Sequence, residues 1–311
     1  MLASLVSIWL PALLGLLYSY RMIVFKIDKE VLVKMLGYGA PFMIMTFGFN
    51  MIFSIDKYIL SGVVAQEQFA VYSQAFMIAA IFSMIVSSFN FAFGPLSMSL
   101  LNNEDASAVF ASMRTYYLLF ICLTGVVFTA VGKVIILFFA GPNYVGGYNF
   151  LAFFIMGYIL YGLFSFSQLG IIRSKKSYLG LSALLAGLAM TAGLDILLAR
   201  YAGGYGTAMG FFLGNLTVVI AAAMLSKKYM MINYNHTKDI VIIAFFAVFG
   251  AVGPLAIFGC NLYAEGLIKV AICAVLFSVM IMLPLFKADR DMLRQVLSVS
   301  APKKALSQGQ I

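Results

Sequence analysis

Residues 175–228 read KKSYLGLSALLAGLAMTAGLDILLARYAGGYGTAMGFFLGNLTVVIAAAMLSKK. Two apolar runs, 178–199 and 205–225, lie between the lysine pairs Lys175-Lys176 and Lys227-Lys228, with Arg200 and Gly203-Gly204 at the join. A helix needs ~20 apolar residues to cross a bilayer, and each run supplies them. Gly206, Gly210 and Gly214 repeat as G-x-x-x-G-x-x-x-G, extended by Thr217 and Ala221. Gly180, Ala183, Gly187 and Thr191 make a matching small-residue face on the preceding run. Small residues at this spacing let two membrane helices approach closely, so the stretch predicts a tightly packed helical pair.

Working outward, nine stretches have this character: roughly 2–25, 38–60, 69–92, 112–132, 147–170, 178–199, 205–225, 239–258 and 264–286. Numbering the connecting segments alternately sorts the cations. One side takes Arg21, Lys26, Lys29, Lys34, Arg114, Arg173, Lys175, Lys176, Lys227, Lys228, Lys238, Lys287, Arg290, Arg294, Lys303 and Lys304. The other takes only Lys57, Lys133, Arg200 and Lys269. Such an excess marks cytoplasmic loops. The expectation is an all-α, polytopic protein of about nine transmembrane helices, N-terminus outside and C-terminus in the cytoplasm.

Composition agrees. At 63% hydrophobic, 10% charged and a mean hydropathy of +1.02, the chain has too little polar surface for a water-facing shell. The ~10-residue alternation of a membrane barrel is absent. The net charge of +9 sits in short loops beside the apolar runs. It is therefore assigned to topology and anionic headgroups, with no nucleic-acid partner expected. Cys122, Cys260 and Cys273 show no paired spacing and read as inert packing thiols.

Residues 1–25 lack the positive start of a signal peptide. They read either as an N-out first helix or as a helix whose predecessors belong to a longer protein. KIDKEVLVKMLG (26–37) puts Ile27, Val31, Leu32 and Met35 on one face, which predicts a short amphipathic cytoplasmic linker helix. Gly37-Tyr38-Gly39-Ala40-Pro41 is expected to break it and open the next span. The basic tail 287–311 is cytoplasmic in this reading, after two C-terminal helices over 239–286.

Polar residues inside apolar helices are the candidates for chemistry. Thr46, Asn50, Ser54 and Lys57 form one stripe, and Ser83, Ser87 and Asn90 another. Such stripes face other helices or a wet cavity. Asp56-Lys57 reads as a cavity-mouth ion pair or a topological anchor. Asp195 is the one carboxylate set within a span. It reads as a proton or cation site for coupled transport, or as a partner of Arg200 and the loop amides near Gly203-Gly204. Arg114 contacts a phosphate or snorkels to the interface. His236 is the single histidine, and it lies in a loop, so no His-based triad or metal cluster is expected. Neither a phosphate-cradling loop nor an outer loop with acid and base groups is present. The expectation is a transporter, with no enzymatic activity and no cofactor or metal.

LGYGAPFMIMTFGFNMIFSIDKYIL (36–60) resembles the helix that opens the second lobe of Wzx-type polysaccharide flippases, with its Tyr38-Gly39-Ala40-Pro41 start and its Ser54-Ile55-Asp56-Lys57-Tyr58-Ile59-Leu60 end. VYSQAFMIAAIFSMIVSSFNFAFGPLS (71–97) is similar to the next helix, closing on Phe89 through Pro95. KVIILFFAGPNYVGGYNFLAFFIMGYILYGLF (133–164) resembles the family's short outer turn with a Tyr before a helix, and LDILLARYAGGYGTAMGFFLGN (194–215) resembles a junction of the same family. Asp195 stands where that junction commonly carries Asn, and Lys57 where Arg is frequent.

The family belongs to the multidrug/oligosaccharidyl-lipid/polysaccharide exporters, two-lobed proteins with a central cavity. The resemblance implies that 1–25 is the last helix of a preceding lobe and that 38–225 is the second six-helix lobe. It also implies a polyprenyl-diphosphate-linked oligosaccharide substrate, flipped by alternating access across the bacterial cytoplasmic membrane. Asn50, Ser54, Lys57, Ser87, Asn90 and Arg114 are placed on the cavity side, with Asp195 as the coupling candidate. Expected partners are the lipid bilayer, the absent N-terminal lobe, and glycosyltransferases or a polysaccharide polymerase. A cation-coupled multidrug exporter and a non-transporting scaffold for glycosyltransferases stand as alternatives.

Overall fold

The structure is a computed structural model that describes residues 2–20, 28–101, 106–232, 234 and 236–252, with 268, 271 and 275 besides. The expected stretch 264–286 and the tail 287–311 lie outside the described residues, those three positions apart. All regular structure among the described residues is helical. It runs α1 (Leu2–Ser19), α2 (Lys29–Ser61), α3 (Gln66–Leu100), α4 (Ala106–Phe139), a 3-10 turn (Pro142–Gly147), α5 (Tyr148–Ser167), α6 (Leu169–Arg173), α7 (Ser177–Ala202), α8 (Gly204–Lys227) and α9 (His236–Val252).

Five described segments are long and apolar enough to cross a membrane: 43–61, 66–100, 106–139, 142–173 and 177–227. The last is folded into α7 and α8 at Gly203, whose φ of 53° lies in the left-handed region that favours glycine. The chain is a multi-pass helical membrane protein.

Contacts divide the chain into two compact units, Met1–Pro41 and Phe42–Ile311. In the first, Asp28 Oδ1 accepts the Glu30 N–H at 2.9 Å, and Lys34 pairs with Glu30 at 2.6 Å one helical turn away. The helix α2 is unbroken from Lys29 to Ser61, so the expected interruption at Gly37–Pro41 does not form. Glycine and proline are weaker breakers in membrane helices, where freed backbone groups find other partners.

In the second unit α5 is the axle. Fourteen of its twenty residues are buried, which suits a helix that is apolar all round. It packs against α3, α4 and α8. The pair α7–α8 folds back on itself as the small-residue faces require. A Cβ at Gly187 would stand 2.8 Å from the Gly214 carbonyl, and one at Gly214 would collide with the Thr191 hydroxyl. The contact of α2 with this body runs through large side chains. Phe49 meets the rings of Tyr161 and Phe164, each at 5.1 Å, and Met45 reaches Gly180. Met77, Met84, Phe91, Phe138, Leu197 and Met224 are exposed on the outside, the apolar surface a bilayer covers.

The helices of this unit alternate in direction. One end carries the turns 62–65, 140–147 and 203, and the other carries 174–176 and 228–232. Near the first end lie Lys57, Lys133 and Arg200; near the second lie Arg114, Arg173, Lys175, Lys176, Lys227, Lys228 and Lys238.

Candidate functional site

Asp56 lies five residues before the end of α2, and Asp195 lies seven before the end of α7. At 1.5 Å per residue both sit about 8–10 Å below the first end of the bundle. Both are completely buried. Tyr72 of α3 comes to the same depth and donates its phenol O–H to Asp56 Oδ2 at 2.6 Å. Asp56 Oδ1 accepts the backbone N–H of Lys57 at 2.8 Å and its ammonium at 3.2 Å. Lys57 Nζ also donates to the Phe53 carbonyl at 2.6 Å and stands 3.1 Å above the centre of the Phe76 ring. Phe76 in turn packs with Phe53, Tyr158 and Phe211 in one aromatic cluster, neighbouring ring centres 5.5–6.0 Å apart. A lysine held this way is fully occupied.

Asp195 is different. Neither of its carboxylate oxygens has a hydrogen-bond partner among the described residues. Its Oδ1 fills the place a side chain would take at Gly210 on α8. The carboxyl lies near enough to Asp56 and Lys57 to feel both charges. The cluster therefore holds two carboxyls against one ammonium. An isolated buried charge costs several kcal/mol, so one more positive charge, a proton or a cation, balances the site.

A cavity of ≈ 600 Å³ opens at the same end, lined among others by Leu60, Gln68, Asn143, Phe150, Gly204 and Tyr205. Its wall is thin on the side of the cluster. A Cβ at Gly204 would crowd both Phe150 and Tyr72, and those two rings lie 5.5 Å apart. The phenol that holds Asp56 is thus one side chain behind the cavity.

The other expected site residues scatter. Asn50 is exposed, and its amide donates to the Thr46 carbonyl one turn back at 2.8 Å. Ser54 and Ser87 are half-buried. Asn90 is half-buried, and its Oδ1 accepts the Ser165 hydroxyl at 3.0 Å, which ties α3 to α5. Arg114 is buried near the opposite end. It pairs with Asp239 at 2.8 Å and lies 4.1 Å over the Tyr234 ring. Tyr234 donates to the Phe166 carbonyl at 3.0 Å, and burial pushes its phenol up to about 12, so it keeps the proton that bond needs.

The structure thus puts Lys57 and Asp195 within electrostatic reach of each other and leaves Asn50, Ser54, Ser87, Asn90 and Arg114 outside that group. The sequence reading does not single out Tyr72 or the rings of Phe53, Phe76, Tyr158 and Phe211. Tyr72, Phe76 and Ser83 share a face of α3, and that polar-aromatic stripe was the available signal. Among the described residues no group of three or more His, Cys, Asp or Glu is arranged to hold a metal ion.

No protein family, curated protein or solved structure matches this chain.

Proposed function

We propose that this chain is part of an ion-coupled secondary transporter in which Asp195, facing the Asp56–Lys57 pair, is the coupling site. The observation that carries the reading is the surplus carboxyl: Asp195 is fully buried, has no hydrogen-bond partner among the described residues, and lies within electrostatic reach of an ion pair that is already complete. Intramembrane acids of this kind sit on ion and proton paths. Loading the site with a proton or a monovalent cation neutralises it, and unloading restores a costly charge. That difference is what can bias two arrangements of α2, α3, α7 and α8.

The substrate follows from the resemblance of 36–60, 71–97, 133–164 and 194–215 to polysaccharide flippases. It is a polyprenyl-diphosphate-linked oligosaccharide, moved across the bacterial cytoplasmic membrane by alternating access against a companion lobe. The basic end of the bundle faces the cytoplasm in this reading. A cation-coupled lipophilic-drug exporter is the rival, favoured by the aromatic cluster that Phe76 joins beside Lys57.

Proteoliposomes separate the two. Flipping of a fluorescent lipid-linked oligosaccharide, with no movement of lipophilic dyes, supports the flippase. Dye export without glycolipid flipping would sink it.

A further inference from the structure

The end of the bundle opposite the carboxyl cluster carries two adjoining turns, one from α6 into α7 and one closing α8. They are locked together. The Gly170 N–H donates to Ser226 Oγ at 2.8 Å, and any Cβ at Gly170 would collide with the Ser226 carbonyl. Lys176 Nζ donates to the Tyr229 hydroxyl at 3.4 Å.

Arg173, Lys175, Lys176, Lys227 and Lys228 are all exposed on these turns. Between Gln168 and Lys238 the sole acidic residue is Asp195, which is at the other end. Among the described ion pairs none involves these five cations.

Lys175 adds an independent observation. Its φ of 57° is the only left-handed backbone among the described non-glycine residues. The Ser174 N–H donates to the Gly170 carbonyl and the Lys175 N–H to the Ile172 carbonyl, each at 3.0 Å. Lys175 therefore occupies the residue just past the end of α6, where glycine or asparagine is the usual occupant. A lysine is strained there and a glycine is not. Strained residues of this sort gather where a ligand is held.

We propose that the two turns form a docking surface for the headgroup of a membrane lipid carrying two phosphates, the cardiolipin class. The cations fall into two groups, Arg173, Lys175 and Lys176 on one turn and Lys227 and Lys228 on the other. That division suits two phosphates joined by a short bridge. Basic pockets between membrane helices hold such headgroups, and the Arg173 guanidinium can grip a phosphate with two parallel hydrogen bonds. Tyr178 and Tyr229 beside them have the amphipathic rings that settle at the headgroup level. The surface is independent of the transported substrate.

The test is native mass spectrometry of the full chain released from nanodiscs of phosphatidylcholine doped with cardiolipin, or with phosphatidylglycerol at matched phosphate. The wild type retains cardiolipin and not phosphatidylglycerol. Lys175→Gly lowers retention about fivefold, while its melting temperature in lipid-free detergent stays level or rises. Arg173→Gln, which leaves the strained backbone alone, lowers retention similarly and serves if the glycine variant misfolds. Arg200→Gln removes the same charge from the other end and leaves retention unchanged. Undiminished retention in Lys175→Gly and Arg173→Gln overturns the proposal, as does equal loss in Arg200→Gln. Equal retention of phosphatidylglycerol overturns it too, and so does displacement of cardiolipin by inorganic pyrophosphate or by a polyprenyl diphosphate.

Discussion

The phenol of Tyr72 and the carboxylate of Asp56 meet at 2.6 Å with both residues buried, so one hydrogen bond fastens α3 to α2 beside the surplus acid Asp195. A bond to a charged partner contributes more than a neutral one. Tyr72→Phe keeps the ring contacts with Phe150 and Phe154 and removes only the donor. Leaving a buried acceptor with one partner fewer costs about 1–3 kcal/mol. Thermal melting of the purified protein in detergent is expected to fall accordingly. The loss should be much smaller when Tyr72→Phe is made in an Asp56→Asn background. Equal losses in the two backgrounds would show that the bond carries no energy.

The α7–α8 pair gives a second prediction. Gly214 faces Thr191 and Gly187 with no room for a side chain. Gly214→Val forces the helices apart, and overpacking of this kind costs typically about 1–3 kcal/mol. The same substitution at Gly193, which has nothing within 4 Å of a Cβ, is expected to leave melting nearly unchanged. Comparable melting of the two variants would contradict the close contact.

Arg114 and Asp239 make the third. Both are buried, so removing either partner strands the other charge at about 3–5 kcal/mol. Arg114→Gln or Asp239→Asn alone is expected to loosen the first turn of α9 and expose it to protease. The double variant should recover part of the loss. Full additivity in the double-mutant cycle would mean the pair is not coupled.

Much of the helical layout was legible. The runs expected at 69–92, 112–132, 178–199 and 205–225 lie inside α3, α4, α7 and α8, because apolar length and flanking charge mark a membrane helix without help from its neighbours. The Gly203-Gly204 bend and the small-residue faces were legible for the same reason, since backbone approach demands small residues wherever it occurs. Which side of each helix faces the protein was not. In a helix apolar all round, the periodicity carries no direction. Asn50 and Asn90 therefore looked alike, although one bonds back to its own helix and the other reaches across to Ser165. The pairing of Tyr72 with Asp56, and of Arg114 with Asp239, depends on which helices become neighbours. Asp195 stood out because a lone acid in an apolar run is costly. That its surroundings include an ion pair already complete emerged only from the packing.

The central claim is that Asp195 couples an ion to movement. Proteoliposomes containing the full chain, loaded with fluorescent lipid-linked oligosaccharide, are given an imposed proton or sodium gradient and assayed against Asp195→Asn. The account predicts that the wild type flips faster down one of these gradients, whereas Asp195→Asn folds, melts no lower than wild type and flips at a rate indifferent to both. An Asp195→Asn variant that still responds to the gradient as the wild type does would contradict it.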